Sequence, residues 1–102
     1  MYYLWFTVPS SPRNLNLNVT SPTNIWVSWE EPSELNGVIT SYTLKWKTND
    51  SEADIDVPGA LTVELNNLTS CLEYTVTVAG NTKVGPGNES DPATEETDVE
   101  CG

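Results

Sequence analysis

Apolar and polar residues alternate with a period of two along Tyr74-Thr75-Val76-Thr77-Val78-Ala79, and no other feature of the chain restricts its fold so tightly. Successive side chains of an extended strand point to opposite faces, so this spacing describes a strand with one buried and one wetted face. The alternation returns at Leu15, Leu17 and Val19, at Ile25, Val27 and Trp29, at Tyr42, Leu44 and Trp46, and at Val63 and Leu65. No stretch of useful length follows the helical period. The chain is therefore predicted to be all-β, with these segments packed face to face in one small sandwich.

Turn-forming residues cut the chain between those segments: Ser21-Pro22-Thr23-Asn24, Glu34-Leu35-Asn36-Gly37, Asn49-Asp50-Ser51, Pro58-Gly59 and Gly85-Pro86-Gly87. They predict a seven-stranded, immunoglobulin-like sandwich. Strand A runs over Arg13 to Val19, B over Asn24 to Trp29, C over Ile39 to Lys47, a short C′ over Ala53 to Val57, E over Leu61 to Leu65, F over Glu73 to Thr82 and G over Ala93 to Thr97. Strands A, B and E form one sheet and C, C′, F and G the other. A chain of 102 residues supports one core of modest size. The expected division is a lead-in over residues 1–8, the domain over 9–97 and a tail over 98–102 that carries Cys101.

The apolar start from Met1 to Val8 has neither a basic flank nor a small-residue cleavage site, so it reads as an unpacked lead-in rather than a complete signal peptide. Nothing approaches the roughly 20 apolar residues of a membrane-spanning helix, and direct insertion of this segment into a membrane is not expected. Fifteen acidic residues against four basic ones give a net charge of −11. Nucleic acid is excluded as a partner, because duplex affinity depends on neutralising phosphates with Lys and Arg. Anionic membrane surfaces are disfavoured for the same reason. The charge is read as a solvated surface in preference to a site for a basic partner or calcium.

Asn-x-Ser/Thr triplets begin at Asn18, Asn49, Asn67 and Asn88, none with proline in the middle. Each asparagine falls in a predicted turn or on the polar side of a strand, where a glycan projects without disturbing the core. At least two are expected to be glycosylated. The predicted topology brings the start of strand F and the end of strand G to one pole, within reach for a bridge between Cys71 and Cys101. Closing that loop stabilises by roughly 3 to 4 kcal/mol in the chain-entropy model. The alternative is two independent thiols. An oxidising compartment suits both the bridge and the glycans.

Chemistry is scarce. The chain has no histidine to serve as a base, no nucleophile elbow and no phosphate-cradling glycine loop, and its cysteine spacing fits no zinc site. Gly85-Pro86-Gly87 is a β-turn, not the start of a phosphate-binding helix. The acidic group Glu30, Glu31 and Glu34 lacks the alternating ligand order of calcium loops and reads as a solvated loop. No enzyme activity, cofactor or metal is expected.

The landmarks Pro9 and Pro12 before strand A, Trp29 ending strand B, Pro32, Asn36-Gly37, Tyr42 in strand C, Leu68 followed by Tyr74, and Gly85-Pro86-Gly87 with Ser90 resemble, in this order and spacing, the fibronectin type III family. The likeness covers about Pro9 to Thr97. It departs at Ser70, where the family usually has proline, and at Leu72, where it usually has threonine. Trp29 and Tyr42 are expected to face each other between the sheets. Tyr74 is the candidate for the tyrosine corner, its ring in the core and its hydroxyl bonded to backbone a few residues upstream. Trp46 lies on the inward parity and is expected in the core. Trp26 lies on the outward parity and reads as an ordinary exposed aromatic, although an exposed Trp is also one way to anchor a partner.

The resemblance implies a binding or spacer module that works within a longer polypeptide, monomeric in itself, outside the cell, in an adhesion protein, a matrix protein or a receptor ectodomain such as a receptor-type tyrosine phosphatase. Its partner would be another protein or a neighbouring domain. Family binding uses the loops at one pole, here Glu31 to Val38, with Glu31, Glu34 and Asn36, and Lys83 to Glu89, with Lys83, Val84, Pro86 and Asn88. Both loops read as polar, without an apolar pocket. No integrin-binding Arg-Gly-Asp tripeptide occurs, nor does the tryptophan-serine signature of cytokine receptors. The competing reading is a purely structural spacer in an intracellular array or in a bacterial carbohydrate-active enzyme.

Overall fold

The computed structural model describes residues 9–34 and 37–97. The expected lead-in over 1–8 and tail over 98–102 lie outside them. Eight strands follow in order: β1 (Arg13–Ser21), β2 (Asn24–Glu30), β3 (Ser41–Lys47), β4 (Glu52–Val57), β5 (Thr62–Leu65), β6 (Glu73–Thr82), β7 (Gly85–Pro86) and β8 (Ala93–Glu96). One antiparallel sheet has the order β1-β2-β5. The other has β4-β3-β6, with β7 and β8 both pairing with β6. The alternating pattern sets the register: Leu17 lies opposite Val27, Val27 opposite Val63, and Leu44 opposite Val78, so apolar residues share one face of each sheet.

Most strands shift at one end by one or two residues from the sequence-based expectation, and two departures shape the loops. β3 begins at Ser41 rather than Ile39. Ile39 still packs on the core, and Thr40 N–H bonds to the Asn81 carbonyl at 2.8 Å, so the chain enters the sheet before its ladder becomes regular. The expected Gly85-Pro86-Gly87 turn is instead partly strand. The chain reverses at Lys83-Val84, and Gly85 and Pro86 return along Thr82 and Asn81 as β7.

Ile25, Val27, Leu44, Val76 and Val78 are fully buried between the sheets. Trp29 and Tyr42 meet edge to face, with ring centroids 5.4 Å apart and planes at 64°. The buried Trp29 Nε1 has no hydrogen-bond partner among the described residues. Burying an aromatic side chain removes on the order of 200 Å² from water, worth about 5 kcal/mol, against about 1–3 kcal/mol for the unmade bond, so packing wins.

Trp46 is half-buried against this core rather than enclosed in it. Ile55, which shares the inward parity through its pairing with Leu44, is 37% exposed. Val57, on the same parity at the other end of β4, is buried, so cover over the larger sheet thins toward the β3–β4 turn.

Hydroxyl groups close the pole where β8 ends. Tyr74 Oη accepts the Thr69 N–H at 2.9 Å, five residues upstream, as a tyrosine corner does. Thr97, 1% exposed, donates its hydroxyl to the Thr69 carbonyl at 2.9 Å and accepts the Leu72 N–H at 3.3 Å. Its own N–H reaches the Leu72 carbonyl at 3.1 Å. Midway along β6, buried Ser90 makes a similar pair with Val78, accepting its N–H at 3.1 Å and donating its own N–H to the Val78 carbonyl at 2.8 Å.

Candidate interaction surface

The opposite pole is built from backbone. Pro32, buried and without an N–H, ends β2. The following loop is tied to the N-terminal segment: Ser10 N–H donates to the Glu34 carbonyl at 2.9 Å and Glu34 N–H to Ser10 Oγ at 3.1 Å. Gly37, with φ of 137°, brings this loop against the β6–β7 hairpin, and a Cβ placed there would meet Thr82 Cγ2 at 3.6 Å. The hairpin is fixed in turn by Val84 N–H to Thr82 Oγ1 at 3.2 Å and by Gly87 N–H to the Gly80 carbonyl at 2.7 Å. Asn88 N–H closes onto the Pro9 carbonyl at 3.1 Å.

Gly87 is required by close approach. A Cβ at this position would lie 2.7 Å from the Pro9 carbonyl oxygen and 3.1 Å from that of Gly80. Glycine alone lets these two backbone segments pass so near.

The two loops thus form one surface, and they are not uniformly polar as their sequence suggested. Val38 is 79% exposed and Val84 47%. Lys83, Glu31, Glu34, Pro86, Asn88 and Glu89 are also exposed there, and Asn36 lies outside the described residues. Val38 is legible after the fact: it stands beside Ile39, and of two adjacent residues entering a strand only one can face the core. Small apolar tips within a polar rim are the composition of a protein-contact patch.

Arg13 Nε donates to the Glu31 carbonyl at 2.9 Å and its guanidinium stands 3.8 Å from the Glu30 carboxylate, a half-exposed pair of little net worth. Glu30, Glu31 and Glu34 do not gather into a cation site, and among the described residues no group of three or more acidic, histidine or cysteine side chains is arranged to hold a metal ion. Burial of the ring, and then the negative charge of Glu31, raise the Tyr42 hydroxyl above its ordinary pKa of 10.0. On the outer face of the larger sheet Lys45 bonds to Glu89 at 3.1 Å, and this contact raises the lysine pKa.

Trp29, Tyr42, Leu68 and Tyr74 are all buried in the core. Asn18 is exposed on β1, Asn49 in the β3–β4 turn, Asn67 between β5 and β6 in a left-handed conformation with φ of 59°, and Asn88 beside the loop surface. Cys71 lies in the turn before β6, with φ of 63°, and Cys101 lies outside the described residues. Sequence reasoning missed the buried roles of Ser90 and Thr97. A hydroxyl is ordinarily a surface group, and only the convergence of remote backbone segments makes these two internal.

A family profile described as Fibronectin type III domain matches residues 10–96. Mouse neogenin is 39% identical over 82 residues, which make up 78% of this chain and 5% of the relative. The mouse netrin receptor DCC is 35% identical over 89 residues, covering 85% of this chain and 6% of the receptor. The chain therefore spans only a small part of the curated relatives it matches. Among solved structures, the FN5 domain of Drosophila Lar is similar in fold, with a TM-score of 0.77, 24% identity, and coverage of 88% of this chain and 97% of that one.

Proposed function

The chain belongs to the fibronectin type III family, and on that premise we propose that it is a non-catalytic interaction module of an extracellular receptor or adhesion ectodomain, which contacts a protein partner through its loop-built pole. The observation that carries this reading is the pair of exposed valines, Val38 and Val84, on two loops that are each tied by backbone hydrogen bonds to the same N-terminal segment. A surface whose backbone is already ordered loses little conformational entropy on binding, so its apolar tips contribute most of their desolvation to affinity. The domain, taken over residues 9–97, acts as a monomer whose other contacts are the neighbouring domains of its chain.

The extracellular setting is supported by four exposed sequons and by the neighbourhood of Cys71. Thr97 bonds to Leu72 through both its N–H and its hydroxyl, so the chain leaves β8 beside the turn that holds Cys71, with Cys101 four positions further along. A Cys71–Cys101 bridge fits that path.

The test begins with intact mass of the domain secreted from a eukaryotic host, before and after reduction and deglycosylation. Glycan loss and a two-proton gain on reduction are expected. Bare asparagines with two free thiols would overturn the extracellular reading. The surface is then tested by comparing the native domain with a Val38→Ser/Val84→Ser variant against a panel of purified receptor ectodomains. Loss of a captured partner, with unchanged thermal stability, is expected, and a partner that binds both proteins equally would overturn the assignment of this pole.

A further inference from the structure

We propose that an N-linked glycan on Asn18 packs its first sugar on the indole of Trp26, so that the two residues form one site on the outer face of the β1-β2-β5 sheet. The inference rests on the extracellular reading above and deepens it by singling out one of the four sequons. Asn18 and Trp26 are register partners across the antiparallel β1–β2 pair. Directly opposed residues carry their Cβ atoms about 4.5–5.5 Å apart on the same face. That face is the outer one, because the residues flanking Trp26, Ile25 and Val27, are fully buried while Trp26 itself is 39% exposed. Trp26 is the one exposed aromatic ring among the described residues.

The other neighbour of Trp26 on this face has partners of its own. Glu64 is the register partner of Trp26 on β5, and its carboxylate is held by Thr20 Oγ1 at 3.3 Å and Asn24 Nδ2 at 3.1 Å. The Glu64 carboxylate is thereby held at the Thr20–Asn24 end of this face, and Asn18 remains the direct neighbour of Trp26 on β1. An N-acetylglucosamine has one face of C–H groups and an apolar acetyl methyl. Those electron-poor C–H groups suit the negative face of an indole, and covering the ring removes apolar area from water. Asn49, Asn67 and Asn88 lie in turns and loops, and none of them is a register partner of the exposed ring of Trp26.

The covalent step takes its sugar from a lipid diphosphate-linked oligosaccharide of the secretory pathway. The Asn18 amide nitrogen forms a bond to the sugar C1 as the C1–O bond to the diphosphate breaks. The amide gives up one proton, and the lipid diphosphate leaves. Thr20 supplies the hydroxyl of the triplet during that reaction and afterwards donates it to Glu64 in the folded sheet.

The test is a double-mutant cycle on domain secreted from a eukaryotic host and trimmed to the first sugar: native, Asn18→Gln, Trp26→Thr and the double variant, with glycopeptide mapping of every sequon. Asn18 is expected to be occupied. Its glycan should raise the Tm by about 3–6 °C, the range open to one added aromatic contact in a domain of this size. In the Trp26→Thr background the increment should shrink to about 1 °C or less, and a Trp26→Tyr variant, which keeps a ring, should retain most of it. Ring-current displacement of the acetyl methyl resonance, lost in Trp26→Thr, reports the contact directly. Asn18 bare while another sequon is occupied, or an equal increment with and without Trp26, overturns the inference and leaves the extracellular reading standing. All four sequons bare overturns the inference, and with two free thiols as well it overturns the extracellular reading too.

Discussion

At the pole where β8 ends, side-chain hydroxyls close the sandwich: Tyr74 and Thr97 fill bonding positions of the Thr69 and Leu72 backbone. At the opposite pole backbone closes on backbone, through Gly87 to Gly80, Asn88 to Pro9 and Ser10 to Glu34. In the first case residue identity holds the structure, because each hydroxyl is buried and a substitute leaves a backbone group unpaired. In the second, most side chains point away from the bonds that order the loops. Val38, Val84 and Lys83 can therefore change with the partner while the scaffold under them stays the same.

Thr97→Val is the strongest challenge to this contrast. It keeps the shape and removes the hydroxyl, stranding the Leu72 N–H and the Thr69 carbonyl, at an expected cost of about 2–3 kcal/mol by denaturant unfolding. A loss below about 0.5 kcal/mol would mean that the hydroxyls are not what closes this pole. Gly87→Ala probes the exception at the other end, the one position there where side-chain size is constrained by backbone. With a Cβ 2.7 Å from the Pro9 oxygen, about 2 kcal/mol of destabilisation is expected. A neutral result would show that the N-terminal segment yields easily.

The two buried tyrosines sharpen the comparison. Tyr74→Phe should cost about 1 kcal/mol by removing the acceptor for Thr69 N–H, whereas Tyr42→Phe at neutral pH should change stability by no more than about 0.5 kcal/mol. Alkali adds a second effect, at Tyr42. The folded protein holds Tyr42 neutral to higher pH than the unfolded chain, whose tyrosine titrates near 10.0. The stability linked to Tyr42 is complete below that value and is lost as pH rises through the folded one. Urea titrations above pH 10 should show a shallower loss in Tyr42→Phe than in the native sequence, and identical slopes would remove the linkage. The smallest effect is expected for Val38→Ser with Val84→Ser, within about 0.5 kcal/mol of native in thermal unfolding. A larger loss would make these valines part of the scaffold.

Much of the fold was legible because its signal is local. The inward set read from parity included Ile25, Val27, Trp29, Tyr42, Leu44, Leu65, Tyr74, Val76 and Val78, all buried, while Leu15, Val19, Val63 and Trp46 on the same parity are partly buried. The candidate surface was legible only in outline. Its two loops were recognisable from their turn residues, but the exposure of Val38 and Val84 was not. A valine in a loop is buried or exposed according to what packs over it, and parity places Val38 only once Ile39 is known to face the core.

By itself the sequence determined the strands and the faces they bury, since the pleat repeats every two residues and each strand carries its own pattern. Tertiary structure alone decided that Trp46 and Ile55 stand where cover over the larger sheet thins, that Ser90 and Thr97 turn inward, and that Asn18 lies across from Trp26. Each of these depends on the register and overhang of strands in contact, which no single segment encodes.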